Sequence, residues 1–270
     1  NIFEVVNQAE KIQMYGIGLM DNFSNTSGYA SLIKKYKPKL KLKIFGGLIM
    51  EPPSGGVNYE NAKIALNYSY NSNEGAKFIS FPTHHTRHVA KQEKRKKKYI
   101  KNCFYIPTSG PSYETLKILD LIAKKNIVLN TGHLSSKETI DLVKAADKSG
   151  IKKILVPSNT FDTATIKILK KYKVKFEFSY FFISKATTIP LTHVDGEKHK
   201  IKGTNQNVLK DLITAAEPKN VILSSDCGVS VLPKPHLGFL KFIEQIIKFG
   251  FSKKEIEYMI KINSKKLFYI

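Results

Sequence analysis

Strand-length apolar runs and helix-length amphipathic stretches take turns along this chain. Apolar runs recur at residues 15–20, 43–49, 77–81, 126–130, 153–156, 174–180 and 220–224. Short runs of this kind between polar segments predict buried parallel strands. Between them, apolar positions repeat at helical spacing over residues 27–36, 59–68, 113–125, 136–148, 163–172 and 207–216, and again over 237–249 and 253–262 at the end. Residues 2–11 form a further helical segment ahead of the first strand. Two helix starts carry capping-box spacing, Ser135-Ser136-Lys137-Glu138 and Ser252-Lys253-Lys254-Glu255.

Regular alternation of strands and helices argues for a parallel sheet with helical crossovers. At 270 residues and 42% hydrophobic content, the chain suits a single α/β domain over residues 1–270. Seven strands preceded by a helix fall one short of the (β/α)8 TIM barrel. The simplest repair places the first strand upstream of Asn1, so the expected fold is such a barrel lacking its first strand. Residues 82–105 and 184–203 stay irregular; loops of that length on this scaffold build sites or make surface excursions.

Composition narrows the choice of partners. No apolar segment approaches the roughly 20 residues that span a bilayer, so the expected protein is soluble. Two distant cysteines, Cys103 and Cys227, make no disulfide framework or metal knuckle and suit the cytoplasm. The formal charge of +22 would ordinarily suggest nucleic acid, yet all but two of the 44 cationic side chains are lysine. Arginine, the better fork for bases and phosphates, stands only at Arg87 and Arg95, and the lysines scatter over polar helix faces. A solvated surface accounts for them better than a binding stripe, with the dense run 91–101 expected on an exposed loop or helix face.

Candidate chemistry collects just beyond the strand ends: Asp21 and Asn22, Glu51, Thr83-His84-His85, His133, Ser158-Asn159 and Ser225-Asp226. In α/β folds this is the edge where ligands bind. Taken singly, each has a plainer role. A lone strand-end histidine is more often a packing residue, and an Asp there is often a cap or turn. Their coincidence at several ends favours a site, and His with Asp is a ligand set for zinc, manganese or iron. His84 and His85 point opposite ways in extended chain, so both face one ion only through a turn, while His88 can return through the loop. His193, His199 and His236 read as surface or supporting groups. Glu177, inside an apolar strand, needs a partner if it faces inward.

Thr131-Gly132-His133-Leu134-Ser135, Ser224-Ser225-Asp226 and the closing stretch from Met259 to Phe268 together resemble the amidohydrolase superfamily of metal-dependent hydrolases. Phe45-Gly46-Gly47-Leu48, Phe81-Pro82-Thr83 and Leu134-Ser135-Ser136-Lys137-Glu138 look closer still to an uncharacterised branch of it. The resemblance implies a barrel holding one or two divalent ions. Its ligands would be a His-x-His pair on strand one, a group after strand four, one histidine each after strands five and six, and Asp after strand eight. Counting the absent strand as one, His133 follows strand five, Asp226 strand eight and Thr83-His84-His85 strand four. No His-x-His occurs near the start, and strand six ends in Pro157-Ser158-Asn159. Either His84, His85 or His88 supplies a ligand, or one ion is held loosely, or the site has decayed.

The function so implied is hydrolysis of an amide, cyclic amide or ester of a small molecule through metal-activated water, zinc being the first choice of metal. Asp226 would both bind metal and take the proton; Asn22, Ser158 and Asn159 would contact substrate. Lactone hydrolysis and decarboxylation share the scaffold. The alternative is a catalytically impaired barrel that binds a small ligand, and a basic nucleic-acid binder comes third. The sequence leaves monomer and homo-oligomer open.

Overall fold

A computed structural model describes residues 1–70, 74–192 and 196–269. In chain order the first elements are α1 (Ile2–Lys11), β1 (Gly16–Leu19), α2 (Ser27–Tyr36), β2 (Lys43–Gly46), β3 (Leu48–Ile49) and α3 (Tyr59–Asn67). There follow β4 (Phe78–Ser80), α4 (Arg87–Gln92), α5 (Lys97–Asn102), α6 (Tyr113–Lys125), β5 (Val128–Asn130) and α7 (Ser136–Lys148). The chain continues through β6 (Ile154–Pro157), α8 (Thr163–Lys170), β7 (Lys175–Ser179), β8 (Leu191–Thr192), β9 (Lys198–His199) and α9 (Gln206–Ala216). It closes with β10 (Val221–Ser224), α10 (Pro235–Lys248), α11 (Lys253–Glu257) and α12 (Asn263–Phe268). Every predicted helix and strand is present, and α1, α2, α6 and α7 keep their predicted bounds.

Caps explain why the helices start where they do. Ser135 and Ser252 form both capping boxes, each accepting from the backbone of a Glu three residues on while that Glu reaches back. Asn1, Asn58, Ser112, Asp162 and Asn205 cap α1, α3, α6, α8 and α9 with side-chain oxygens. No helix among the described residues is long and apolar enough to cross a membrane.

The chain divides into two compact units, Gln13–Leu155 and Asn1–Ile12 with Val156–Ile270. In the first, β1 and β2 pair in parallel, and β3, β4, β5 and β6 follow one another as parallel neighbours. Ile79, Leu129, Ile118, Ile122, Leu142 and Val143 are fully buried in it. Each such side chain contributes about 2 kcal/mol by leaving water.

The run 43–49 was expected as one strand and proves to be two, broken at Gly47. Thr26 fills the break: its hydroxyl donates to the Leu19 carbonyl at 2.7 Å and accepts from the Gly47 N–H at 2.9 Å. The glycine pair makes room for it. A Cβ on Gly46 would lie 2.3 Å from the Thr26 backbone, and one on Gly47 2.3 Å from the Phe78 carbonyl.

The stretch 82–105, expected to be irregular, contains α4 and α5, tied by a bridge between Thr86 and Phe104. The lysine run within it is exposed as expected, with one correction. The Arg95 side chain is 3% exposed, paired with Glu93 at 3.5 Å and laid over the Tyr99 ring at 3.8 Å. Charge alone does not keep a guanidinium outside when an acid and an aromatic face are offered inside.

In the second unit, β7 and β10 pair in parallel with Glu177 opposite Ile222 and Ser179 opposite Ser224. Phe176 and Phe178 point into the apolar core with Val221, Ile166, Leu169 and Phe242, while Lys175 and Glu177 lie on the other face. The stretch 184–203 holds the β8–β9 hairpin, antiparallel from Leu191–His199 to Thr192–Lys198. His193 lies outside the described residues. The segment expected as one helix at 253–262 runs on as α11, a π turn over Tyr258–Ile262 and α12.

Candidate functional site

The Thr-Gly-His turn is set by backbone geometry. Gly132 has φ +66°, and a Cβ there would sit 2.3 Å from the Pro82 carbonyl, so only glycine suits the position. The Asn130 side chain accepts from the Gly132 N–H at 2.9 Å. His133 then donates its N–H to the Pro82 carbonyl at 3.0 Å, and its own carbonyl accepts from the Thr86 hydroxyl at 2.8 Å. The imidazole is thus carried on a turn locked to the neighbouring strand end.

That neighbouring end is organised by Glu51. Its carboxylate, fully buried, accepts from the N–H groups of Thr83 and His84 at 2.6 Å each and of His85 at 3.1 Å. The Thr83 hydroxyl adds a fourth bond at 3.1 Å. Three successive N–H groups converging on one carboxylate curl the chain, and the two histidines part. His84 meets His133 edge-to-face with ring centroids 6.5 Å apart, whereas His85 packs on Tyr99 at 5.3 Å. Glu51 stood among the strand-end residues in the sequence, but nothing there marked it as the anchor of a turn more than thirty residues on.

Electrostatics favour a neutral His133. Loss of solvation pushes its pKa down to about 4, with the nearby His84 and His88 acting in the same direction. Glu51 and a hydrogen bond to the Thr83 backbone oppose the shift. Burial also lowers the pKa of His85, with Arg95 adding to the effect and Glu51 working against it. A neutral imidazole fixed through one nitrogen is the form that ligates a metal through the other.

In kind, then, His84 and His133 fit a divalent ion. In number they fall short: among the described residues no three His, Cys, Asp or Glu side chains come together as a ligand group. His88 sits on α4 with Nε2 2.9 Å from the Gln92 amide nitrogen, and His85 belongs to the Tyr99 contact. The Asn22 side chain lies 3.1 Å from the Thr83 hydroxyl, an alternative acceptor to Glu51 beside the turn that Glu51 holds.

The other unit carries a carboxylate corner. On the polar face of β7 and β10, Ser179 donates to Asp226 Oδ2 at 3.5 Å, and Asp226 itself adopts φ +50°. Solvent reaches the Asp226 residue at the surface, yet protein atoms crowd its carboxylate, and that desolvation raises its pKa against the pull of Ser179. Burial pushes Glu177 up to about 7, helped by the Asp226 charge and opposed by the Ser224 hydroxyl. Ser158 and Asn159 brace this corner. The buried Ser158 hydroxyl donates to the Val156 carbonyl at 2.7 Å, and Asn159 accepts from the Ser179 N–H at 3.0 Å.

Parallel strands joined by helices, with polar groups gathered at the strand ends, define an α/β protein, and comparison with solved structures narrows the class. A phosphotriesterase homology protein from Escherichia coli, solved with phosphate in its active site, matches with a TM-score of 0.61 at 13% identity, over 99% of this chain and 88% of that one. A lactonase from Listeria monocytogenes matches at 0.59 and 11% identity, over 98% of this chain and 84% of its own. An organophosphorus hydrolase from Deinococcus radiodurans matches at 0.59 and 10%, over 98% and 82%. At such identities the likeness is one of fold, a (β/α)8 TIM barrel. No curated protein matches the sequence. Residues 1–176 match the family described as a family of unknown function, DUF6282, and the chain belongs to that family.

Proposed function

We propose that this protein is a hydrolase of the amidohydrolase superfamily acting on an ester or lactone of a small molecule. The observation that carries the reading is the His84–His133 pair at adjoining strand ends, with His133 kept neutral. The fold is shared with a lactonase and an organophosphorus hydrolase, which supports ester and lactone substrates; nothing comparable supports the amide bonds that the sequence left equally open. A divalent ion, zinc before manganese or iron, would supply a water acidic enough to attack at neutral pH.

Within that reading His84 and His133 are the groups that would hold the ion, and Glu51 positions His84. The Thr83 backbone orients the His133 ring. Asp226, in the other unit, is kept as the proposed general base on the resemblance of Ser224-Ser225-Asp226 alone, and burial raises its pKa above that of an ordinary aspartate. The two free cysteines, both buried, suit a reducing cytoplasm.

The test is metal content and turnover of the purified chain, measured on a panel of esters, lactones and amides with zinc, manganese or ferrous iron supplied. Hydrolysis is expected, with metal lost on His133→Ala and turnover lost on Asp226→Asn while the circular dichroism spectrum is kept. A second reading, a barrel that binds a small ligand without turning it over, is favoured by the absence of a third ligand among the described residues. Metal-free protein that hydrolyses nothing on the panel would decide for it.

A further inference from the structure

Between α4 and α7 lies a cavity of about 260 Å3 whose charges are unevenly satisfied. Arg87 and Lys91 reach it from one helix and Lys137 from the other. Neither lysine has an ion-pair partner among the described residues. The Arg87 guanidinium lies over the Tyr105 ring at 3.3 Å and gives one N–H to the Lys101 carbonyl at 3.2 Å, with its Nε buried and unpartnered among the described residues. The two carboxylates in the lining are engaged. Glu138 accepts from the Ser135 N–H at 3.0 Å and the Ile106 N–H at 3.2 Å, and Asp141 stands 3.9 Å from Lys144.

We infer that this cavity is a binding site for the phosphate group of a small phosphomonoester. Arg87, Lys91 and Lys137 face one recess whose only carboxylate without a lysine beside it is Glu138, and the two positive charges left over are what a phosphate dianion balances and a monoanion does not. The start of α7, at Ser135 and Lys137 in the same wall, adds the positive end of a helix dipole. The recess admits a terminal phosphate, whereas the diester backbone of a nucleic acid would have to run past its mouth. The lining includes His88, whose ring lies against Gln92, but neither His84 nor His133, the two groups that the proposed hydrolysis gives to the metal.

The test measures binding of inorganic phosphate to the full chain by calorimetry and thermal shift, against sodium chloride at the same ionic strength. Saturable binding is expected, with phenyl phosphate competing. The Lys91→Gln/Lys137→Gln double variant should weaken it by about tenfold. Lys254→Gln, an exposed lysine of α11, should leave it unchanged. Arg87→Gln risks the fold, because the guanidinium also holds Tyr105 and Lys101, so the lysine variants carry the decision. Stabilisation no greater than with chloride, acetate binding as tightly as phosphate, an equal loss in Lys254→Gln, or wild-type affinity in a folded double variant would each overturn the proposal.

Discussion

Glu51 and Glu177 sit in different units and meet opposite surroundings. Glu51 is fully buried and receives three backbone N–H groups and a hydroxyl, so fixed donors replace the water it gave up. Glu177 has Ser224 and a second carboxylate, Asp226, for neighbours, and holds its proton up to about pH 7. Depth alone therefore does not decide what a carboxylate does. Donors turn one into part of the frame, and lost solvation that few donors replace, with a smaller push from an acidic neighbour, leaves the other able to exchange a proton near neutrality.

The largest test of that contrast is Glu51→Ala, which strands three N–H groups in the interior. It should cost about 3–5 kcal/mol in urea unfolding, and Glu51→Gln, which keeps an acceptor, should cost less. A wild-type midpoint for the alanine variant would sink the framing role. Next comes Gly132→Ala, which sets a Cβ against the Pro82 carbonyl at positive φ and should cost about 2–4 kcal/mol. Loss of the His133 contacts should show in its imidazole NMR signals.

Two smaller tests use pH. A glutamate whose folded pKa is raised stabilises below its unfolded value of 4.5 and loses that contribution as pH rises through about 7. Glu177→Gln should therefore match wild type near pH 4 and exceed it by about 2 kcal/mol above pH 8. Equal stability at both ends would remove Glu177 from the comparison. His133 has the reverse slope: held neutral, it contributes above its unfolded 6.5 and loses that as pH falls through about 4. In chelator-treated protein, His133→Asn should flatten the acid limb by about 1 kcal/mol, an amount trimmed by the solvent contact the residue keeps.

Much of the frame was legible in the residues. The capping boxes at Ser135 and Ser252 and the bounds of α6 and α7 follow from local spacing, because caps and amphipathic faces act over three or four residues. Gly47 was hidden inside an unbroken apolar run, since the Thr26 hydroxyl that breaks the ladder arrives from twenty-one residues away. The α4–α5 segment was hidden by its lysines, whose charge reads as loop while Thr86 caps α4 from its own hydroxyl. At the candidate site, the divergence of His84 and His85 followed from the two-residue period of extended chain. Which of them meets His133 did not.

By itself the sequence determined the order and type of the elements and the strand ends at which polar groups collect, because those depend on neighbours along the chain. Tertiary structure decided which groups meet. It put Glu51 under the Thr83-His84-His85 turn, took Arg95 inside against Tyr99, gave His85 an aromatic wall and His84 an imidazole, and set Glu177 beside Asp226. Each of those outcomes depends on a hydrogen bond, ring contact or charge whose energy exists only once the strands are in register. Local periodicity carries no record of that register.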